Sequence, residues 1–197
     1  MNKAFLLLQD FELTNSFDDP RWVLLTSSNL PDEAPKPNVA PPLEDVSSND
    51  FAGLSFDDIN TFIRSNESKI KALDLTIANW VIIDQKGIDS STCLVVDQVY
   101  DSEADSDDGG GEGRMTDDFK AARVPYTQAW AMFANLDITN MDFEEWVDED
   151  AGVQEDGAYK WVGPFPASTE HQEQADRDAE IKRERALKAM RDLGYID

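Results

Sequence analysis

"TIANWVIID" at 76–84 and "TCLVVDQV" at 92–99, separated by "QKGIDSS" at 85–91, decide the fold. Both runs are dense in β-branched and aromatic side chains and both are bounded by turn-forming residues, so each reads as a strand. The linker between them reads as a turn. An antiparallel pair at the centre of a sheet is expected.

Downstream, "FKAARVP" at 119–125 reads as a further strand ended by Pro125, and "YTQAWAMFANL" as a helix with Trp130, Phe133 and Ala134 on one face and Ala129 and Met132 beside them. Upstream, "LSFDDINTFIRS" at 54–65 predicts an amphipathic helix. Ser55 is its N-cap, Asp58 sits three residues on, and Phe56, Ile59, Phe62 and Ile63 recur at helical spacing. "RWVLLTS" at 21–27 reads as a buried strand, and the five prolines of "LPDEAPKPNVAPP" make the next stretch an extended connection. "DSEADSDDGGGEGRMTDD", 101–118, has almost nothing to bury and is expected to be a disordered loop. From Glu170 onward, acid-first pairs at i,i+4 predict an exposed helix with a thin apolar side of Ala179, Ala186, Leu187, Met190 and Leu193, lying on the body or serving as an arm.

The fold expected is α+β, with a small central, mainly antiparallel sheet packed by two or three helices. It carries a disordered acidic loop and a C-terminal charged helix. The boundaries are an N-terminal segment at 1–19, one domain at 20–168 that includes the proline-rich connection 31–42 and the loop 101–118, and a helical extension at 169–197.

Charge separates this chain from most globular proteins. It has 41 acidic and 17 basic residues, a formal net charge of -24. Residues 171 to 197 hold six of the basic side chains and seven of the acidic ones, so the acidity belongs to the body. Such a surface repels phosphate backbones and anionic headgroups, so neither nucleic acid nor a membrane is an expected partner, whereas a basic protein surface is. The opening apolar run is too short for a secretory signal, and no later run reaches the roughly 18 residues of a membrane helix. One cysteine, Cys93, excludes an internal disulfide, and with the single His171 it cannot make a structural zinc site. A soluble protein of an intracellular, cytoplasmic setting is expected.

Little in the chain spells catalysis. His171 lies in "STEHQEQ", where polarity predicts solvent rather than a triad, and Cys93 inside a strand reads as a small buried hydrophobe. "GGGEGR" lacks the lysine and flanking elements of a phosphate loop, and the acidic run before it fits no EF-hand register. Asp84 and Asp97, late in their strands, are the candidates for a carboxylate pair serving a divalent metal or acting as acid and base, although strand-end aspartates often begin turns.

Several blocks carry a resemblance: "VLLTSS", "FAGLS" at 51–55, "LVVD" at 94–97, and above all "NLDITNMDFEEWVDED" at 135–150 with Ile138, Asn140, Met141, Asp142, Phe143, Glu144 and Glu145. Together, from about residue 22 to residue 152, they resemble a family of bacterial and fungal domains catalogued as domain of unknown function 6924. The resemblance implies an α+β domain and assigns no activity or catalytic residue. Within the last block, Asn140 or Asp142 reads as the cap of a helix carrying Phe143, Trp146 and Val147 inward. Alternatively Asn135, Asn140 and Asp142, with Asp97, line a polar patch that receives a partner. The leading functional expectation is a non-enzymatic, acidic protein-binding module, inhibitor-like or immunity-like, with no cofactor. The alternative is a metal-assisted hydrolase using strand-end carboxylates such as Asp84 and Asp97.

Overall fold

A computed structural model describes residues 1–9, 22–33, 43, 48–101, 114–163 and 170–197. Along them run α1 (Asn2–Leu7), α2 (Phe56–Ser65), α3 (Glu67–Ala72), β1 (Asn79–Ile82), α4 (Gln85–Ser90), β2 (Thr92–Asp101), β3 (Arg114–Pro125), α5 (Tyr126–Asp137), a 3-10 turn (Phe143–Trp146), β4 (Tyr159–Lys160) and α6 (Glu170–Asp192). The strands form one sheet in the order β1-β2-β3-β4. The first three are antiparallel and β4 joins parallel to β3, so the fold is α+β with a mainly antiparallel sheet.

The reading of 79–101 holds for the strands and fails for their junction. β1 pairs with β2 in the register Asn79↔Asp97 through Ile82↔Leu94, but the link is the short helix α4 rather than a turn. Asp84 starts that helix by accepting the Gly87 N–H at 2.7 Å, and Ser91 ends it in the left-handed conformation. β1 is also an edge strand, leaving β2 and β3 at the centre. β2 owes its place to composition, for Cys93, Leu94, Val95 and Val96 are all buried and alternate between two covered faces.

On one face Cys93 and Val95 of β2 and Ala122 and Val124 of β3 meet Tyr126, Ala129, Met132 and Leu136 of α5. These four define the buried stripe of α5, while Trp130 and Phe133 pack at its flank against Trp22. On the other face Leu94, Val96 and Ala121 meet Phe56 and Ala158, next to a second cluster built from Ile63 of α2 and Ile70 of α3. α2 begins as predicted, with Ser55 and Asp58 closing a reciprocal capping box.

Three expectations are corrected. Residues 22–27 form no strand: they run without regular structure beside the sheet, held by the Trp22 indole donating to the Leu8 carbonyl at 2.9 Å and by the Asp50 N–H donating to the Thr26 carbonyl at 2.9 Å. The acidic loop is shorter than 101–118, because Arg114–Asp118 already belong to β3, where Met115 pairs with Tyr100 and the Thr116 hydroxyl donates to the Val99 carbonyl. Residues 102–113 and most of the proline-rich connection lie outside the described residues. The boundary drawn after residue 19 does not set α1 apart, since Phe5, Leu7 and Leu8 enter the main core. α6 lies on the body through α1, burying Ala179, Ala186 and Met190 around Leu6.

Candidate functional site

Register assembles the site. Asp97 on β2 stands opposite Asn79 of β1 on one side and Lys120 of β3 on the other, so three polar side chains form a row across the sheet on the face covered by α5. The Asn79 amide donates to Asp97 Oδ1 at 2.6 Å. Lys120 instead donates to the Glu144 carboxylate and lies over the Phe143 ring, 5.9 Å from its centroid. The 3-10 turn therefore delivers Glu144, and Asp142 near it, to the end of the row.

The consequence for Asp97 is a carboxyl pushed up to about 6. Burial is the main cause, opposed by the Asn79 hydrogen bond; Glu144 raises it further, Lys120 lowers it and Asp142 raises it. Lys120 is held above its ordinary value, first by its hydrogen bond to Glu144. For Glu144, burial is the largest single effect and would raise the carboxyl, but the Lys120 hydrogen bond, its own backbone N–H and the Lys120 charge together bring the net direction down.

A raised carboxyl makes a signed prediction. Stability contributed by Asp97 is fully present below its unfolded value near 4 and is lost as pH rises through about 6. Asp97→Asn should accordingly stabilise the protein at pH 7 by about 1–2 kcal/mol and flatten the loss of stability between pH 4 and pH 6. Urea midpoints of both proteins across that window check it; parallel pH profiles would show that Asp97 is not the group responsible.

Asp84 belongs elsewhere. It lies at the end of β1 distant from Asn79, where Arg123 grips it with Nη1 at 3.1 Å and Nη2 at 2.7 Å. The same guanidinium gives Nε to Asp156 at 2.6 Å, and Lys86 reaches Asp156 at 2.7 Å. Arg123 holds the Asp84 carboxyl low against the opposing effect of burial, and Asp156 is lowered to about 2 by Lys86 and Arg123 despite its own burial. Arg123 and Lys120 are three residues apart on β3, so Asp84 and Asp97 face opposite sides of the sheet and stand roughly 10 Å apart along it. The carboxylate pair expected from Asp84 and Asp97 is not assembled. Among the described residues no three His, Cys, Asp or Glu side chains group as ligands for a metal ion.

The family-like block is more local than expected. The amphipathic helix predicted after Asp142 is a single 3-10 turn, because the chain leaves helical geometry at Val147, whose extended backbone bridges Trp161. Asp142 is its N-cap residue, and Glu145 accepts the Asp142 N–H at 2.9 Å. Asn140 does not cap it: its amide donates to Asn135 Oδ1 at 2.7 Å, and Asn135 donates to the Ala131 carbonyl at 2.8 Å, stitching the chain to the last turn of α5. Of the predicted residues, Asp97 and Asp142 share one electrostatic neighbourhood, Asn135 and Asn140 bond each other, and Asp84 is separate. Cys93 is buried in β2 as expected, its thiol pushed up to about 12 by burial.

Asn79 and Lys120 escaped the sequence reading, and Glu144 entered it only as part of the family-like block, not as a neighbour of Lys120. A second polar pair on the opposite face also escaped it, where Gln98 donates to Asn60 at 2.8 Å and Asn60 to the Asp117 carbonyl at 2.7 Å. Strand register was the missing signal.

This arrangement defines an α+β domain whose mainly antiparallel sheet carries a polar, acid-rich row at one end and an ion-pair network at the other. The chain belongs to the family described as a domain of unknown function (DUF6924), whose model matches residues 13–161. No curated protein and no solved structure matches the chain. No described helix is long and apolar enough to cross a membrane.

Proposed function

We propose that this chain is a non-enzymatic, acidic protein-binding module that engages a basic partner surface, in the manner of an inhibitor or immunity protein, in a reducing intracellular compartment. The observation that carries the reading is how the body's cations are used. Between residues 22 and 163 every lysine or arginine with a described side chain is paired with an acid: Arg64 with Glu67 and Asp117, Lys69 with Asp32, Lys71 with Glu67, Lys86 with Asp156, Lys120 with Glu144, Arg123 with Asp84 and Asp156, and Lys160 with Asp148. Among the described residues the excess acid of the body therefore has no cation of its own, and its field is available to steer a partner.

That field has a focus. No basic residue occurs between Arg123 and Lys160, a stretch that includes Asp137, Asp142, Glu145, Glu149 and Asp150. Ile138 stands 69% exposed among them, an aliphatic contact within an acidic surround.

Capture of binding proteins at 0.1 M and 1 M salt tests the reading, since screening shortens from about 10 Å to about 3 Å over that range. A basic protein retained at low salt, released at high salt and lost by a Glu149→Lys/Asp150→Lys variant is expected. Retention that ignores both salt and the charge reversal would count against it.

A further inference from the structure

A cleft of about 480 Å³ lies beside the free edge of β1, walled by Trp22, Trp80, Trp130 and Phe133. Its volume falls within the range of small-molecule sites. The Trp22 ring meets Trp130 edge-on at 5.5 Å and Phe133 at 4.9 Å, so this wall is a packed aromatic cluster.

The cleft has a polar end. α5 runs back along the sheet from Pro125, bringing Tyr126 near Arg123 and Asp84, and Asp137 near Tyr100. The C-terminus of α5 therefore lies at the end where β1 begins, and Asp137, Asp74 and Asn79 all line the cleft. The last turn of α5 holds no basic residue, so no side-chain cation of its own offsets the negative end of its dipole. Asn79 is only 1% exposed, and because its amide is given to Asp97, its Oδ1 has no hydrogen-bond partner among the described residues. A buried acceptor without a donor costs free energy that a ligand donor would recover.

We infer that this cleft binds a small amphipathic amine, its apolar body against the tryptophans and its ammonium at the end formed by Asn79, Asp74 and Asp137. The carboxylates favour a cation there. An alcohol of the same shape keeps the apolar contact and loses the charge. A carboxylate is repelled.

The three probes are 4-phenylbutylamine, 4-phenylbutanol and 4-phenylbutyrate, followed by tryptophan fluorescence and calorimetry on the full chain. The amine should saturate at one per chain, about tenfold tighter than the alcohol, with the carboxylate not binding. Asp137→Asn, at an exposed position, should weaken the amine about threefold and leave the alcohol unchanged. Asn79→Leu, shown folded by its thermal melt, should reduce amine binding further. Equal affinity for amine and alcohol would overturn the inference. So would amine binding that never saturates or that survives both substitutions, because it would then report only the net charge of the surface.

Discussion

Trp146→Ala is expected to cost the fold about 4 kcal/mol, the range for emptying a large aromatic site that cannot collapse. Trp146 is 0% exposed and ends the 3-10 turn, with Phe143 and Val147 buried beside it. Its carbonyl also accepts the Val162 N–H at 2.9 Å, so the turn ties the β4 region to the core. Urea unfolding measures the loss. A matched exposed change in the same block, Glu149→Ala, should stay within about 0.5 kcal/mol. A loss below about 1 kcal/mol for Trp146→Ala would show that this block is kept for something other than packing.

Gly87→Ala is the second large effect, and its sign opposes helix propensity. In an open helix alanine is better than glycine by about 1 kcal/mol. Here a Cβ would sit 2.2 Å from the Thr92 carbonyl oxygen and 2.8 Å from Asp84 Oδ1. The first is strand backbone, and the second is held in the Arg123 fork, so neither can move aside without breaking other bonds. A destabilisation of about 3 kcal/mol is expected, combining the overlap with loss of the Asp84 cap. Thermal or urea unfolding decides it. A neutral or stabilising result would mean that α4 can shift away from β2.

Both cases show what the sequence could and could not convey. The strands of 79–101 were legible because β-branched runs are local, and α2 because Ser55 and Asp58 announce it within one turn. α4 was hidden by Gly87, whose poor helix propensity reads as a turn until Thr92 is seen to demand it. Residues 21–27 have strand composition, yet composition does not say whether a neighbour offers its edge. The four apolar residues of α1 are too few for periodicity to reveal that they are buried.

The candidate site was half legible for the same reason. Asp97 could be singled out as a carboxylate late in a strand, but Asn79 and Lys120 become its neighbours only when β1, β2 and β3 are in register. Glu144 joins only when the 3-10 turn docks. Asp84 was misplaced because strand-end position says nothing about which face a side chain takes, and Arg123 settles that.

The pairing of α1 with α6 bears on how the chain is made. The Asn2 amide donates to the Tyr195 carbonyl at 3.1 Å across 193 residues of sequence. At ribosomal speeds of roughly 5–20 residues per second, α1 waits about ten seconds or longer for the helix that covers Leu6. During that interval Leu6 lacks the cover that Ala179, Ala186 and Met190 give it in the folded chain.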